Sequence, residues 1–149
     1  MSSQQFLRDR QRGKVGQSYV ANMMRSWGWN VYEVLDGYFQ PYDLIVTAPN
    51  GTKRTVEVKY DLKASQTSNF FLELDALWHS KADLLAIVTD NPRTVYITPL
   101  QPVLALAQYY PKKIRAGEFQ GEGVVISIKE FIDKLNPQIL TTKQGSDQR

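Results

Sequence analysis

Hydrophobic and polar residues follow two different periods along this chain, and together the periods predict an α/β arrangement. Apolar residues recur at helical spacing from Val15 to Trp27, and Gly28 ends that helix. Short runs rich in β-branched residues, bounded by Pro, Gly and Asn, predict strands. The predicted strands are 29–35, 44–47, 55–59, 70–74, 82–89, 94–98 and 124–128, and the later helical segments are 76–81, 100–110 and 128–135. We therefore expect an α/β fold with a mixed central β-sheet flanked by helices.

The same pattern predicts one domain and a tail. No repeat and no Pro-rich or Gly-rich linker divides the first 135 residues. Polar residues dominate from Asn136 onward, which is typical of a frayed terminus. We expect a single domain over residues 1–135 and a flexible polar tail over residues 136–149.

A tight turn at Pro49-Asn50-Gly51 joins two of the predicted strands into a hairpin. In a two-residue turn the numbers of paired residues would sum to 101, and Asp43 would point away from Glu57. In a three-residue loop with glycine in the left-handed conformation they would sum to 100, and Asp43 would lie opposite Glu57. Proline before Asn-Gly suits the longer loop. We therefore expect Asp43, Glu57 and Lys59 to share one face of the hairpin.

Two carboxylates placed side by side on a sheet need a compensating charge. At a separation of about 4 Å they repel by about 4 kcal/mol at an effective dielectric constant of 20. Mg²⁺ is typically held by one or two carboxylates together with water and phosphate oxygens. Lys59 can then orient or deprotonate an attacking water, or neutralise charge that develops on a phosphate. This arrangement favours metal-assisted phosphodiester hydrolysis, and the alternative interpretation is an ordinary solvated hairpin face.

The hairpin motifs resemble those of the PD-(D/E)XK nuclease superfamily, which includes restriction endonucleases, Holliday junction resolvases and small phage nucleases. Pro41-Tyr42-Asp43 matches the first motif with one inserted residue, and Glu57-Val58-Lys59 matches the second. The resemblance covers roughly residues 13–98 and implies a restriction-endonuclease-like core. It implies that Asp43, Glu57 and the Val58 carbonyl bind Mg²⁺, for which Mn²⁺ can substitute, and that Lys59 is the catalytic lysine. The implied activity is that of a DNA endonuclease, with branched or junction DNA as a possible preference.

Accessory residues follow from the same resemblance. Many relatives carry an acidic residue on the first helix that reaches the metal, and Gln17 occupies the corresponding position here. An amide offers a neutral oxygen but no negative charge. In phage-encoded relatives the segment after the second motif approaches DNA or the metal, which singles out Gln66, Asn69 and Glu73. Ordinary exposed and turn-forming polar residues are the alternative for all four positions.

Charge and composition narrow the class of function. The 149 residues contain no cysteine and one histidine, which excludes disulfides, thiolate zinc sites and a cysteine nucleophile. The segment 13–18 fails the phosphate-loop pattern, so we expect no nucleotide cofactor. No run of apolar residues is long enough for a membrane span and the N-terminus lacks a signal-peptide core, so we expect a cytoplasmic protein without a membrane partner.

The modest positive charge is compatible with a nucleic-acid partner. The formal net charge is +3 and the sequence pI is about 9.1. Basic residues that we expect to contact phosphates are Arg8, Arg10, Arg12, Lys14, Lys81, Lys112, Lys113 and Arg115. The resemblance further implies a homodimer, because one site cuts one strand. The alternatives are a non-catalytic nucleic-acid-binding or assembly module with the same fold, and a nuclease that acts on RNA.

Overall fold

A computed structural model describes residues 3–34, 42–61, 63–90, 92–114 and 122–141, with side chains described from residue 14 to residue 113 and from 122 to 141 within these ranges. The helices are α1 Ser3–Ser26, α2 Ala64–Thr67, α3 Leu74–His79, α4 Leu100–Ala107 and α5 Ile128–Leu135. The strands are β1 Asn30–Glu33, β2 Leu44–Thr47, β3 Lys53–Asp61, β4 Asn69–Glu73, β5 Leu84–Thr89, β6 Thr94–Pro99, β7 Lys113–Ile114, β8 Glu122–Ser127 and β9 Gln138–Thr141. Within these ranges no helix is both long and apolar enough to cross a lipid bilayer.

The strands of the described residues form a central sheet and a smaller one. The central sheet has six strands in the order β1-β2-β3-β5-β6-β9, and only the β3–β5 pair among them is parallel. The smaller antiparallel sheet has the order β4-β8-β7. A parallel pair needs a crossover connection, and the chain from β3 to β5 makes it through α2, β4 and α3. The predicted mixed α/β sheet flanked by helices is therefore confirmed.

Alternating side chains divide the central sheet into two packed faces. Helix α1 covers one face, where Val20 and Met24 pack with Val56 of β3 in a buried apolar cluster. The small sheet with helices α3, α4 and α5 covers the other face, where Phe70 and Phe131 belong to a second buried cluster. Because β3 lies inside the sheet, its even-numbered residues face α1 and its odd-numbered residues face the second layer.

The hairpin register agrees with the three-residue loop. Leu44 pairs with Val56 and Thr47 with Lys53, so partner numbers sum to 100. The Ala48 N–H donates to the Thr52 carbonyl at 2.8 Å, and Gly51 has a φ of +89°, the left-handed conformation that glycine adopts without strain. The turn residues therefore set the register that the sequence predicted.

The first helix is longer than its apolar pattern predicts. It begins at Ser3 rather than near Val15, so residues 8–14 belong to the same helix. The added turns contain few apolar residues and show no helical period in the sequence. A helix nucleated by its packed part is extended at little cost, because each further residue adds one backbone hydrogen bond.

The prediction of a polar tail from residue 136 differs from the structure over four residues. Gln138–Thr141 form β9, which pairs antiparallel with β6 at the end of the central sheet. The Thr94 and Thr141 hydroxyls lie 3.3 Å apart. The pairing joins segments more than 40 residues apart, so the local sequence gives little signal for it. Residues 142–149 lie outside the described part of the chain.

Candidate active site

The site begins where strand β2 departs from regular geometry. The Asp43 N–H donates to the Val56 carbonyl of β3 at 2.9 Å, while the Asp43 carbonyl accepts from Val34 N–H at 3.0 Å. In a regular strand the N–H and C=O of one residue point toward the same neighbouring strand. The predicted pairing of Asp43 directly opposite Glu57 is therefore replaced by a local shift, in which Asp43 is tied to strands on both sides.

This shift brings the Asp43 carboxylate to the edge of β3. Its Oδ2 accepts a hydrogen bond of 2.7 Å from the Val58 N–H, a donor that lies beyond Val56, the β3 partner of the first residue of β2. The Val58 carbonyl points to the same edge as its own N–H, and no backbone N–H of the described residues outside the sheet ladders donates to it. A carboxylate and a backbone carbonyl therefore lie together where the β2–β3 ladder ends.

Glu57 and Lys59 lie on the face of β3 that is turned away from α1. The Lys59 ammonium is 3.4 Å from Glu57 Oε2, and the two side chains are 34% and 14% exposed, respectively. Glu57 Oε1 accepts a hydrogen bond of 3.1 Å from the Ser80 hydroxyl. Each oxygen of the Glu57 carboxylate thus has its own partner, which fixes the orientation of the group.

Burial raises the pKa of both carboxyl groups, and the charge of Asp43 raises that of Glu57 further. For Asp43 the largest cause is burial, opposed by the Val58 hydrogen bond and the Lys59 charge. For Glu57 burial again comes first and the negative charge of Asp43 adds to it, while Lys59 and Ser80 lower the pKa. Lys59 thus lowers the pKa of both carboxyl groups without offsetting their burial, so the ionised carboxylates are under-compensated by protein charge alone.

The donor set fits a hard divalent cation. Two carboxylates and a backbone carbonyl are oxygen donors of the kind that Mg²⁺ prefers, and a cation would offset the repulsion that raises the pKa of Glu57. Among the described residues no group of three or more Asp, Glu, His or Cys side chains is placed to hold a metal. In the part of the chain that the structure describes, the side-chain ligands for such an ion are thus one or two carboxylates. Its other coordination positions are left for water and substrate oxygens.

Ser80 is a residue of this site that the sequence analysis did not identify. It follows helix α3 and its hydroxyl donates to Glu57 while accepting from the Ala82 N–H at 3.1 Å. Three residues later Asp83 accepts from the Thr55 N–H at 2.9 Å and from its hydroxyl at 3.2 Å. The segment from Ser80 to Asp83 is thereby fastened to β3 at two points, and its only sequence signal was the Lys81 that it contains.

The predicted accessory residues lie on elements other than β3. Gln17 is half-buried on α1, which packs on the opposite face of β3, and no hydrogen bond of the described residues joins it to Asp43 or Glu57. Gln66 is exposed on α2, Asn69 is half-buried at the start of β4, and Glu73 is exposed at its end. In the segment after the second motif, residues 60 and 61 end β3, Ala64–Thr67 form α2 and Asn69 begins β4.

The predicted phosphate contacts lie in separate parts of the chain. Lys81 is exposed between the two anchors of its segment, and Lys14 is exposed on α1. Lys112 and Lys113 are exposed near the small sheet, where the Lys112 ammonium is 3.9 Å from Glu122. Arg8, Arg10 and Arg12 lie on the helical backbone of α1 outside the side chains described, and Arg115 lies outside the described residues.

These features define a mixed α/β fold whose hairpin ends in two carboxylates and a lysine. Among solved structures the chain is similar to a bacterial homing endonuclease, I-Ssp6803I, with a TM-score of 0.51 and 21% sequence identity over 78% of this chain and 72% of that one. No family model matches the chain, and no curated protein matches it. The similarity establishes a fold shared with that nuclease.

Proposed function

We propose that this protein is a Mg²⁺-dependent DNA endonuclease of the PD-(D/E)XK type. The observation that carries the proposal is the meeting of Asp43, Glu57 and Lys59 at the end of the β2–β3 ladder. The fold that the chain shares with a homing endonuclease supports it, since that protein is a nuclease by its own description. Branched or junction DNA is the preferred substrate suggested by the sequence resemblance.

In this proposal Asp43, Glu57 and the Val58 carbonyl hold the Mg²⁺ ion, and Mn²⁺ can replace it. The bound ion supplies Lewis-acid polarisation of the phosphate and lowers the pKa of bound water. Asp43 is positioned by its backbone bonds to both neighbouring strands, and Glu57 is positioned by Ser80 and Lys59. The protein therefore provides oxygen ligands whose orientation is set before substrate arrives.

In this proposal Lys59 contacts the substrate and is not needed for folding. An ammonium has three N–H donors, and its contact with Glu57 leaves donors for a non-bridging phosphate oxygen or for the attacking water. One water adds to phosphorus, one P–O bond breaks, and the proton lost by the water is balanced by one taken up at the departing oxygen. Partial exposure of Lys59 lets a phosphate reach it without a change in the strand.

The first test measures cleavage of labelled duplex, nicked, branched and single-stranded DNA in Mg²⁺ or Mn²⁺. Lys59→Ala is expected to reduce cleavage by at least about 100-fold while DNA binding persists. Lys53→Ala is the matched control, because Lys53 is an exposed lysine on the same strand and should leave cleavage unchanged.

A non-catalytic nucleic-acid-binding module is the second candidate. It is favoured by the small acidic donor set among the described residues and by Gln17 in place of an acidic residue. Folded protein that binds DNA but cuts none of these substrates, with either metal, would overturn the enzyme and support the module. Competition with RNA of the same sequence separates a DNA substrate from an RNA substrate.

We also propose a homodimer, because a duplex cut on both strands needs two sites. Light scattering of the purified protein, with and without duplex DNA, tests this separately from activity. A monomer in both conditions that still cuts both strands would contradict it.

A further inference from the structure

A basic groove lies on the other face of the central sheet, beside the same end of β3. It has a volume of about 370 Å³ and is lined by Lys14, Val15, Ser18, Tyr19, Asn22 and Arg93. Two of these residues are cationic and none is acidic. The groove runs between helix α1 and the turn that joins β5 to β6, and no residue of the Glu57 site contributes to its walls.

Arg93 is held in this groove by a network that starts next to the catalytic lysine. Tyr60 follows Lys59 in β3, and its hydroxyl donates to Asp90 at 3.1 Å. Asp90 in turn lies 3.6 Å from the Arg93 Nε. The Arg93 guanidinium lies 5.1 Å from the centre of the Tyr19 ring, a cation–π distance. Arg93 is therefore fixed from two sides.

The location of the groove follows from the packing of α1 on β3. The Gly16 backbone lies so close to the Tyr60 ring that a Cβ atom there would be 2.8 Å from Tyr60 Cδ2. Lys14 is two residues from this contact. The groove and Lys59 thus lie on opposite faces of the central sheet, near the same end of β3.

An oriented guanidinium is well suited to a phosphate. Arginine offers five N–H donors in a planar fork, and the contact with Asp90 engages the Nε end of that fork. Lys14 adds a second positive charge and the Asn22 amide adds a neutral hydrogen-bonding group, while the Ser18 hydroxyl donates to Glu33 Oε1 at 3.4 Å. The lining is thus chemically matched to an oxyanion, and the open shape admits a polymer that enters and leaves it.

We propose that this groove binds a backbone phosphate of the DNA substrate at a distance from the cleaved bond, with Arg93 as its main contact. The proposal rests on the proposed function, because it extends the path of the same DNA strand around the end of β3. Such a contact positions the strand without reading its sequence.

The test compares wild type with Arg93→Gln for binding of a labelled duplex, by fluorescence anisotropy with Ca²⁺ in place of Mg²⁺, between about 50 and 200 mM salt. Loss of one phosphate contact is expected to weaken binding by about three- to tenfold near 100 mM salt and to reduce the log–log salt slope by about 1. Arg54→Gln is the matched control, because it removes the same charge at a distant position. Arg54 is exposed on β3, about 20 Å along the strand from Tyr60.

Asn22→Asp gives a second variant that keeps the packing of Arg93. The Asn22 Oδ1 accepts from Arg25 Nη1 at 3.0 Å, and a carboxylate preserves this bond while it adds negative charge to the groove. Weaker binding by both groove variants, with Arg54→Gln like wild type, would support the inference. Equal binding by wild type, Arg93→Gln and Asn22→Asp would overturn it while leaving the nuclease intact, whereas a wild type that neither binds nor cuts DNA would overturn both proposals.

Discussion

The two faces of strand β3 differ sharply, although their residues alternate along the same nine-residue segment. Val56 has no exposed surface and packs under α1, whereas Glu57 and Lys59 remain partly open to solvent. One face therefore supplies stability and the other holds charges whose burial is only partly compensated. Substitutions on the two faces should therefore separate effects on folding from effects on the proposed chemistry.

The largest effect on folding is expected on the apolar face. Met24 of α1 is 1% exposed and packs in the cluster that contains Val56. Met24→Ala removes buried methylene and sulfur contacts, so the free energy of unfolding should fall by about 2–5 kcal/mol in urea denaturation. Cleavage per folded molecule should not change.

Val15→Ala is the control on the same helix, because Val15 is 47% exposed. Its free energy of unfolding should stay within about 0.5 kcal/mol of wild type. Equal stability of Met24→Ala and Val15→Ala would break the assignment of that face to the core.

An intermediate effect is expected from Ser80, whose hydroxyl contacts Glu57 and which is not one of the proposed metal ligands. Ser80→Ala removes the donor to Glu57 Oε1, so cleavage and Mg²⁺ affinity should each fall by about tenfold, as for groups that orient a metal ligand. Ser80→Thr keeps a hydroxyl and should recover most of the loss. Full activity of Ser80→Ala in a Mg²⁺ titration would show that Glu57 does not depend on this bond.

The smallest effect is a pH dependence of stability without metal. The pKa of Glu57 is raised in the folded protein, chiefly by burial, so the folded state binds its proton more tightly than the unfolded state. Stability from this group is present below the unfolded pKa, about 4, and is lost as pH rises through the raised value. Glu57→Gln should therefore unfold at a higher temperature than wild type near neutral pH, by thermal melting in EDTA.

Added Mg²⁺ should affect the stability of wild type and of Glu57→Gln differently. A ligand that binds only the folded state raises stability, so Mg²⁺ should increase the melting temperature of wild type and not that of Glu57→Gln. Parallel pH profiles of the two proteins in EDTA would refute the burial cost of the Glu57 charge.

The hairpin could be predicted from sequence because its determinants are local. Pro49 and Gly51 select the loop, the loop sets the register, and the register brings Asp43 toward β3. The Ser127 cap of α5 is local in the same way, since its hydroxyl accepts from the Glu130 N–H three residues later at 3.1 Å. Roles of the hairpin residues in catalysis remain predictions.

Features that depend on partners distant in the chain could not be predicted from the sequence. The shift at Asp43 arises from bonds to two neighbouring strands, and a pattern of alternating residues cannot show it. Ser80 meets Glu57 only after the crossover from β3 to β5, and Arg93 of the β5–β6 turn meets Tyr19 of α1. Strand β9 has only four residues, too few to show a strand pattern without its partner β6.

The order in which these contacts can form has a consequence for folding. Asp43 and Val58 are 15 residues apart and joined by a tight turn, and isolated hairpins close in about 1–10 μs. The Ser80 contact spans 23 residues and requires the parallel β3–β5 pairing, which is slower because a longer loop must close first. The two carboxylates are thus expected to meet while water still surrounds them, and to lose that water only when the crossover docks.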